Sequence, residues 1–187
     1  MAIQVREKDI EEIEEKLSGM NTSLNKINYL ESALNVSGFS FEIKRFIWKE
    51  LSGLYGERKM FERSARAMAN KAGMEISFKD KVDSYITAAE LFSKIGKVDD
   101  ADDMFLRASR DADSQQKMRI KLARKNIYLL SAQELESKGK KASAVKFYEK
   151  LIKMNLDDIE RDEIKVKLLG MYKALGMFRE ARLLGGD

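Results

Sequence analysis

The chain has 187 residues, of which 44% are hydrophobic and 35% charged, with a formal net charge of +4 and a pI of about 9.1. That length suits one domain or one compact repeat array, with apolar material enough for a sizeable core. Cysteine, histidine and proline are absent, which excludes disulfides, thiolate metal sites and a cysteine nucleophile, and removes the commonest general base.

At the N-terminus, Ile10, Ile13, Leu17 and Met20 form one helical stripe, and Leu24, Ile27, Leu30 and Leu34 a second. The intervening MNTS offers an N-cap at Thr22 or Ser23, and Gly38 suits a helix C-cap. The opening MAIQVREKDIEEIEEK lacks a cationic flank followed by an apolar run, so it does not read as a secretory signal. No stretch approaches the roughly 18 apolar residues of a membrane span. A soluble cytoplasmic protein is the expectation. From residue 40 onward, period-2 alternation is missing and helical spacing is pervasive, so helices are expected at 41–55, 59–72, 78–95, 98–111, 115–137, 141–154, 158–175 and 178–184. With no Pro-, Gly- or Ser-rich linker between them, all belong to one domain.

Charge is distributed in stripes. Residues 1–20 carry six acids and three bases, and residues 98–113 carry six Asp against two Arg. Residues 116–153 carry eleven Lys or Arg against three Glu. The run VDDADD (98–103) opens a helix, where carboxylates favour the positive end of the macrodipole. It lacks the glycine and terminal glutamate spacing of a calcium loop. DDIERDE (157–163) reads the same way. There is no P-loop, GxGxxG, nucleophile elbow or HExxH. No catalytic, cofactor-binding or metal-binding residue is assigned, and the chain is not expected to be an enzyme.

The breaks between helices repeat in phase. Gly96, Gly139 and Gly176 each have an aromatic or leucine four residues earlier (Phe92, Leu135, Tyr172) and an alanine five residues later (Ala101, Ala144, Ala181). Small or apolar pairs lie further upstream, at Ala88–Ala89, Ser131–Ala132 and Leu168–Leu169. Phe105 and Tyr148 follow the alanines by four residues. Small residues would let paired helices approach closely, aromatics would fill the space around them, and glycine would end each first helix in the left-handed conformation. Trp48, Leu51, Ser52, Tyr55, Phe61 and Ala65 suggest an earlier, degenerate copy with one residue inserted.

This pattern resembles the tetratricopeptide repeat. Glycine spacings of 43 and 37 residues and the missing prolines depart from the regular pattern, and long helices such as 115–137 resemble the irregular repeats of the soluble NSF attachment proteins more than regular arrays. The resemblance implies an all-α, right-handed α-solenoid of antiparallel helix pairs with roughly ten helices. Repeats would lie at about 40–75, 78–112, 115–155 and 158–187, and residues 1–38 would form a helix pair that caps the stack.

The resemblance also implies a non-enzymatic scaffold or adaptor whose first helices line a concave groove for a peptide or helix of another protein. Residues expected there are Phe46, Lys49, Glu50, Asp83, Ile86, Thr87, Glu90, Asn126, Leu129, Leu130, Gln133, Glu163, Val166 and Lys167. The carboxylate clamp of chaperone-tail adaptors would fall at Lys49, Gly53, Thr87, Asn126 and Leu130. Only Lys49 has the required type, so a clamp is not expected. The alternative is a ribosome- or RNA-associated protein using the basic block 117–141, with Lys117, Lys121, Arg124 and Lys125 contacting a polyanion. A third reading is self-association through a half-length final repeat, with apolar surface near Leu168, Leu169 and Leu183.

Overall fold

The computed structural model describes residues 4–110 and 112–185, so Asp111, at the end of one expected helix, and the terminal Gly186 and Asp187 lie outside the described residues. Among those described there are ten helices and no strand. They are α1 (Ile10–Ser18), α2 (Ser23–Ala33), α3 (Phe41–Glu57), α4 (Phe61–Gly73), α5 (Phe78–Lys94), α6 (Val98–Ser109), α7 (Ser114–Ser137), α8 (Lys141–Ile152), α9 (Asp158–Ala174) and α10 (Phe178–Leu183). Apolar periodicity from residue 40 onward locates every helix to within two residues at each end.

From α3 onward, two kinds of helix start alternate. The first helix of each pair begins at a side-chain cap: Ser40, Ser77, Asp113 and Asp157 each accept a hydrogen bond from the backbone N–H three residues on. Such caps satisfy one of the four orphan donors of a helix N-terminus. The second helices start from Met60, Lys97, Lys140 and Met177, which have no capping side chain. Those residues instead donate back across the turn, to the carbonyls of Tyr55, Phe92, Leu135 and Tyr172 at 2.8–3.0 Å. Four identical turns therefore close four hairpins: α3–α4, α5–α6, α7–α8 and α9–α10. Asp99 and Asp100 sit in the first turn of α6, and Asp158 and Glu160 in that of α9, as the macrodipole favours.

The turns correct one expectation. The earliest hairpin has no inserted residue: Lys59, four residues after Tyr55, adopts φ 58° where its counterparts Gly96, Gly139 and Gly176 adopt φ 70–80°. In this register Ser64, not Ala65, takes the place of the alanine. Ser52 and Ser64 are both buried there. Each hydroxyl donates to the other residue's carbonyl, at 3.0 and 2.7 Å. Serine thus provides the close approach that Ala89 with Ala101 and Ala132 with Ala144 provide in the next two hairpins. A second correction concerns Gly38. Leu34 caps α2, with a turn from Asn35 to Phe39 following, so Gly38 lies beyond the helix end.

Packing is local. Successive helices from α2 to α10 touch one another, and α5 also touches α7. Small residues at the hairpin contacts are fully buried: Ala88, Ala89, Ala101, Ala132 and Ala144 are all 0% exposed. Phe105 stands edge-on to Tyr128 across the repeat boundary at 5.7 Å, and Tyr128 edge-on to Phe147 within the α7–α8 hairpin at 5.2 Å, a geometry that adds to their area burial. One cluster of buried residues runs from Ala65 on α4 to Ala181 on α10. A second joins Ile13 of α1 to Ala67 of α4. Helix α4 contributes to both, so the apolar interior continues along the stack, as a repeat array requires.

Candidate partner-binding surface

The first helices of the hairpins differ in what they turn outward. On α3, Lys49 is exposed and Glu50 half-buried, while Phe46 packs against the N-terminal cluster. On α5, exposed Thr87 donates to the Asp83 carbonyl, Glu90 pairs with Lys94 at 2.8 Å, and Asp83 reaches Arg119 of α7 at 2.7 Å. Ile86 packs against the main core, as does Leu129 on α7. Phe46, Ile86 and Leu129, expected to line a groove, are thus partly buried against the two clusters. On α9, Glu163, Val166 and Lys167 are exposed, with the Lys167 ammonium 5.9 Å from the Tyr148 ring centre.

Helix α7 is apolar on two opposite sides. Its buried side carries Ile120, Tyr128, Ser131, Ala132 and Leu135. At about 100° per residue, Met118, Leu122, Asn126 and Leu130 follow one another along the far side. The apolar members of that stripe are 69%, 56% and 65% exposed. With Ile159 and Val166, also exposed on α9, they bring large apolar groups to the outer faces of two first helices. Asn126, Leu130, Gln133 and Val166, expected from the sequence to line the binding face, are all exposed; Met118, Leu122 and Ile159 were not among the expected residues. The repeat frame begins near residue 126, whereas α7 starts about three turns earlier. The i, i+4 spacing from Met118 to Leu122 was the available signal.

The basic block divides. Arg124 and Lys125 are paired across helices, with Asp102 of α6 and Glu160 of α9 respectively. Lys117 and Lys121 line a 680 Å³ cavity between α6, α7 and the end of α8, and they form no salt bridge among the described residues. At one wall, the Asp102 carboxylate accepts bonds from the Tyr128 hydroxyl, Arg124 and Lys150, tying α6, α7 and α8 together. Burial alone would raise the Asp102 carboxyl, but the bonds from Lys150 and Tyr128 and the Arg124 charge hold it below its ordinary value. Burial and the bond to Asp102 push the Tyr128 hydroxyl up. Its own bond to Asp102 pushes the Lys150 ammonium up. Similar tyrosine–acid bonds recur from Tyr148 to Glu136 at 3.0 Å and from Tyr172 to Glu149 at 2.7 Å. These acids serve the framework.

At the C-terminal end, Leu168 is buried and Leu169 packs against the core, because α10 lies on α9. Of the three leucines expected to form an apolar surface there, only Leu183 is exposed. No described helix is long and apolar enough to cross a membrane.

The family model of the tetratricopeptide repeat matches residues 126–158, the C-terminal part of α7 through α8 and into the start of α9. No curated protein sequence matches the chain. Together with four hairpins closed by one turn geometry, the match makes the chain a tetratricopeptide-like helical repeat protein. Repeats of this kind are in general protein–protein interaction modules and are typically non-catalytic.

Proposed function

We propose that the protein is a non-enzymatic scaffold or adaptor that binds an amphipathic helix or extended peptide of another protein across the outward faces of its first helices, chiefly α7 and α9. The observation that carries this reading is the stripe Met118–Leu122–Leu130, exposed on a helix whose opposite side already fills the core. Apolar side chains repeated along a helix face without an intramolecular partner are an exposed patch of the kind that marks interaction sites. An i, i+4, i+7 partner helix presents anchors at matching spacing. Lys49, Glu50, Asp83, Thr87 and Glu90 on α3 and α5 add charged and polar groups that would select register and orientation. Asn126, Gln133, Glu163 and Lys167 do the same beside the stripe. A soluble cytoplasmic setting accompanies this reading.

Affinity purification from native cells with a tagged full-length chain tests it. The wild type is expected to retain a discrete protein partner at moderate salt. The Met118→Ser/Leu122→Ser/Leu130→Ser variant, matched to it in helical content and thermal melting, is expected to lose that partner. Equal retention by a folded variant would remove the stripe from the binding surface.

A further inference from the structure

Helix α7 is 24 residues long and its hairpin partner α8 only 12, roughly 36 Å against 18 Å at 1.5 Å per residue. Its N-terminal half therefore runs past the end of α8, and the side that carries Tyr128 and Ala132 further along here faces a 680 Å³ cavity. The cavity combines two features. Its apolar surface includes Phe105 on its floor, exposed Leu106 and the half-buried Met154 just beyond α8. Its rim carries Lys117, Lys121 and Lys153, none of which pairs with an acid among the described residues. Asp102 and Asp103 also reach the cavity, but the first is occupied by Arg124, Lys150 and Tyr128, and the second by Arg107 at 2.9 Å. The uncompensated charge is therefore positive.

We propose that this cavity is a second docking site, separate from the outward face of α7, which receives an acidic segment of a partner protein through one inserted apolar side chain flanked by carboxylates. The apolar residue lies against Leu106 and Met154, and the carboxylates pair with Lys117, Lys121 and Lys153. Charge complementarity selects the occupant. A nucleic acid fits less well, since the nearby rings, Phe105 and Tyr128, are buried and offer no stacking platform.

Fluorescence anisotropy on the full chain at low salt tests the site with four probes. The first is a labelled octapeptide of glutamates around a central Leu-Phe. Two controls replace Leu-Phe by Gly-Ser or the glutamates by lysines, and the fourth probe is an eight-nucleotide oligouridine. The first peptide is expected to bind most tightly and to weaken as salt rises. Lys117→Glu/Lys121→Glu/Lys153→Glu should reduce its affinity roughly tenfold, from three rim charge contacts, and Leu106→Ser should reduce it severalfold. If the triple reversal unfolds the chain, Lys117→Gln/Lys121→Gln replaces it, with a smaller loss expected. The α7 stripe variant should bind this peptide unchanged, which separates the two sites. Failure of the folded chain to bind the acidic Leu-Phe peptide would overturn the proposal. So would affinity unchanged by the cavity substitutions, or tighter binding of the oligouridine.

Discussion

The two halves of α7 have different tasks within one continuous helix. From residue 126 onward it lies inside the repeat, with Tyr128, Ala132 and Leu135 buried against α8 and neighbouring elements. Before residue 126 it extends past α8, and only Ile120 is fully buried. The first arrangement builds the stack, and the second leaves side chains available on two sides. The comparison shows that a repeat framework and a recognition surface are produced by helix length as much as by residue choice: extending one helix past its partner exposes positions that a matched hairpin would cover.

The largest effect is expected where the halves differ most in packing. Ala144→Leu, at a fully buried helix contact, should destabilise the chain by about 3 kcal/mol through overpacking, measured by urea unfolding. Leu122→Ala, in the overhanging half, should stay within about 0.5 kcal/mol of the wild type. Equal losses at both positions would erase the distinction.

Asp102 gives the next largest effect, because it joins the halves through Arg124 and Tyr128. Asp102→Ala leaves three donors without their acceptor and should cost about 2 kcal/mol. The folded carboxyl lies below its ordinary value of 3.8, so its stabilisation is present above that pH and is lost as pH falls through the depressed folded value. Wild-type stability should therefore drop on acidification below about pH 4, and Asp102→Asn should flatten that limb. At the alkaline end the sign reverses. Tyr55, Tyr128, Tyr148 and Tyr172 are all raised above the ordinary value of 10.0, by burial first and then by their carboxylate partners. Their contribution is full below pH 10 and declines above it, because the unfolded hydroxyls ionise there while the folded ones hold their protons, and it is lost once pH passes the raised folded values.

A smaller effect tests the shared turn. Lys59 holds φ 58° where later hairpins use glycine, and the left-handed region costs a residue with a Cβ roughly 1 kcal/mol. Lys59→Gly should relieve this strain and raise stability by up to about 1 kcal/mol. Gly139→Ala, where nothing lies within 4 Å of an added Cβ, should lower it by about the same amount. Thermal melting of the two variants would show opposite shifts.

Much of the fold was legible because its determinants are local. Glycine turns, buried alanines and aromatic spacings repeat in the sequence, and helix ends follow from them. The earliest hairpin was harder to place, since Lys59 adopts a conformation that its residue type does not announce. Ser64 also replaces an alanine through hydrogen bonds formed only once the helices meet. On the candidate surface, Leu130 and Val166 were legible from the repeat frame. Met118 and Leu122 fall before the repeat frame, although their i, i+4 spacing is present in the sequence; the cavity was not legible, because it depends on α7 outrunning α8. Nor was the pairing of Arg124 with Asp102, which joins residues 22 positions apart.

The central claim is that the outward side of α7 holds a protein partner. Site-specific photo-crosslinking in native cells tests it most directly, with a photoreactive phenylalanine placed in turn at Leu122, at Leu130 and at Lys146, an exposed position on α8. The account predicts one discrete protein adduct shared by positions 122 and 130 and absent at 146. No adduct at the α7 positions, or the same adducts at all three, would contradict it.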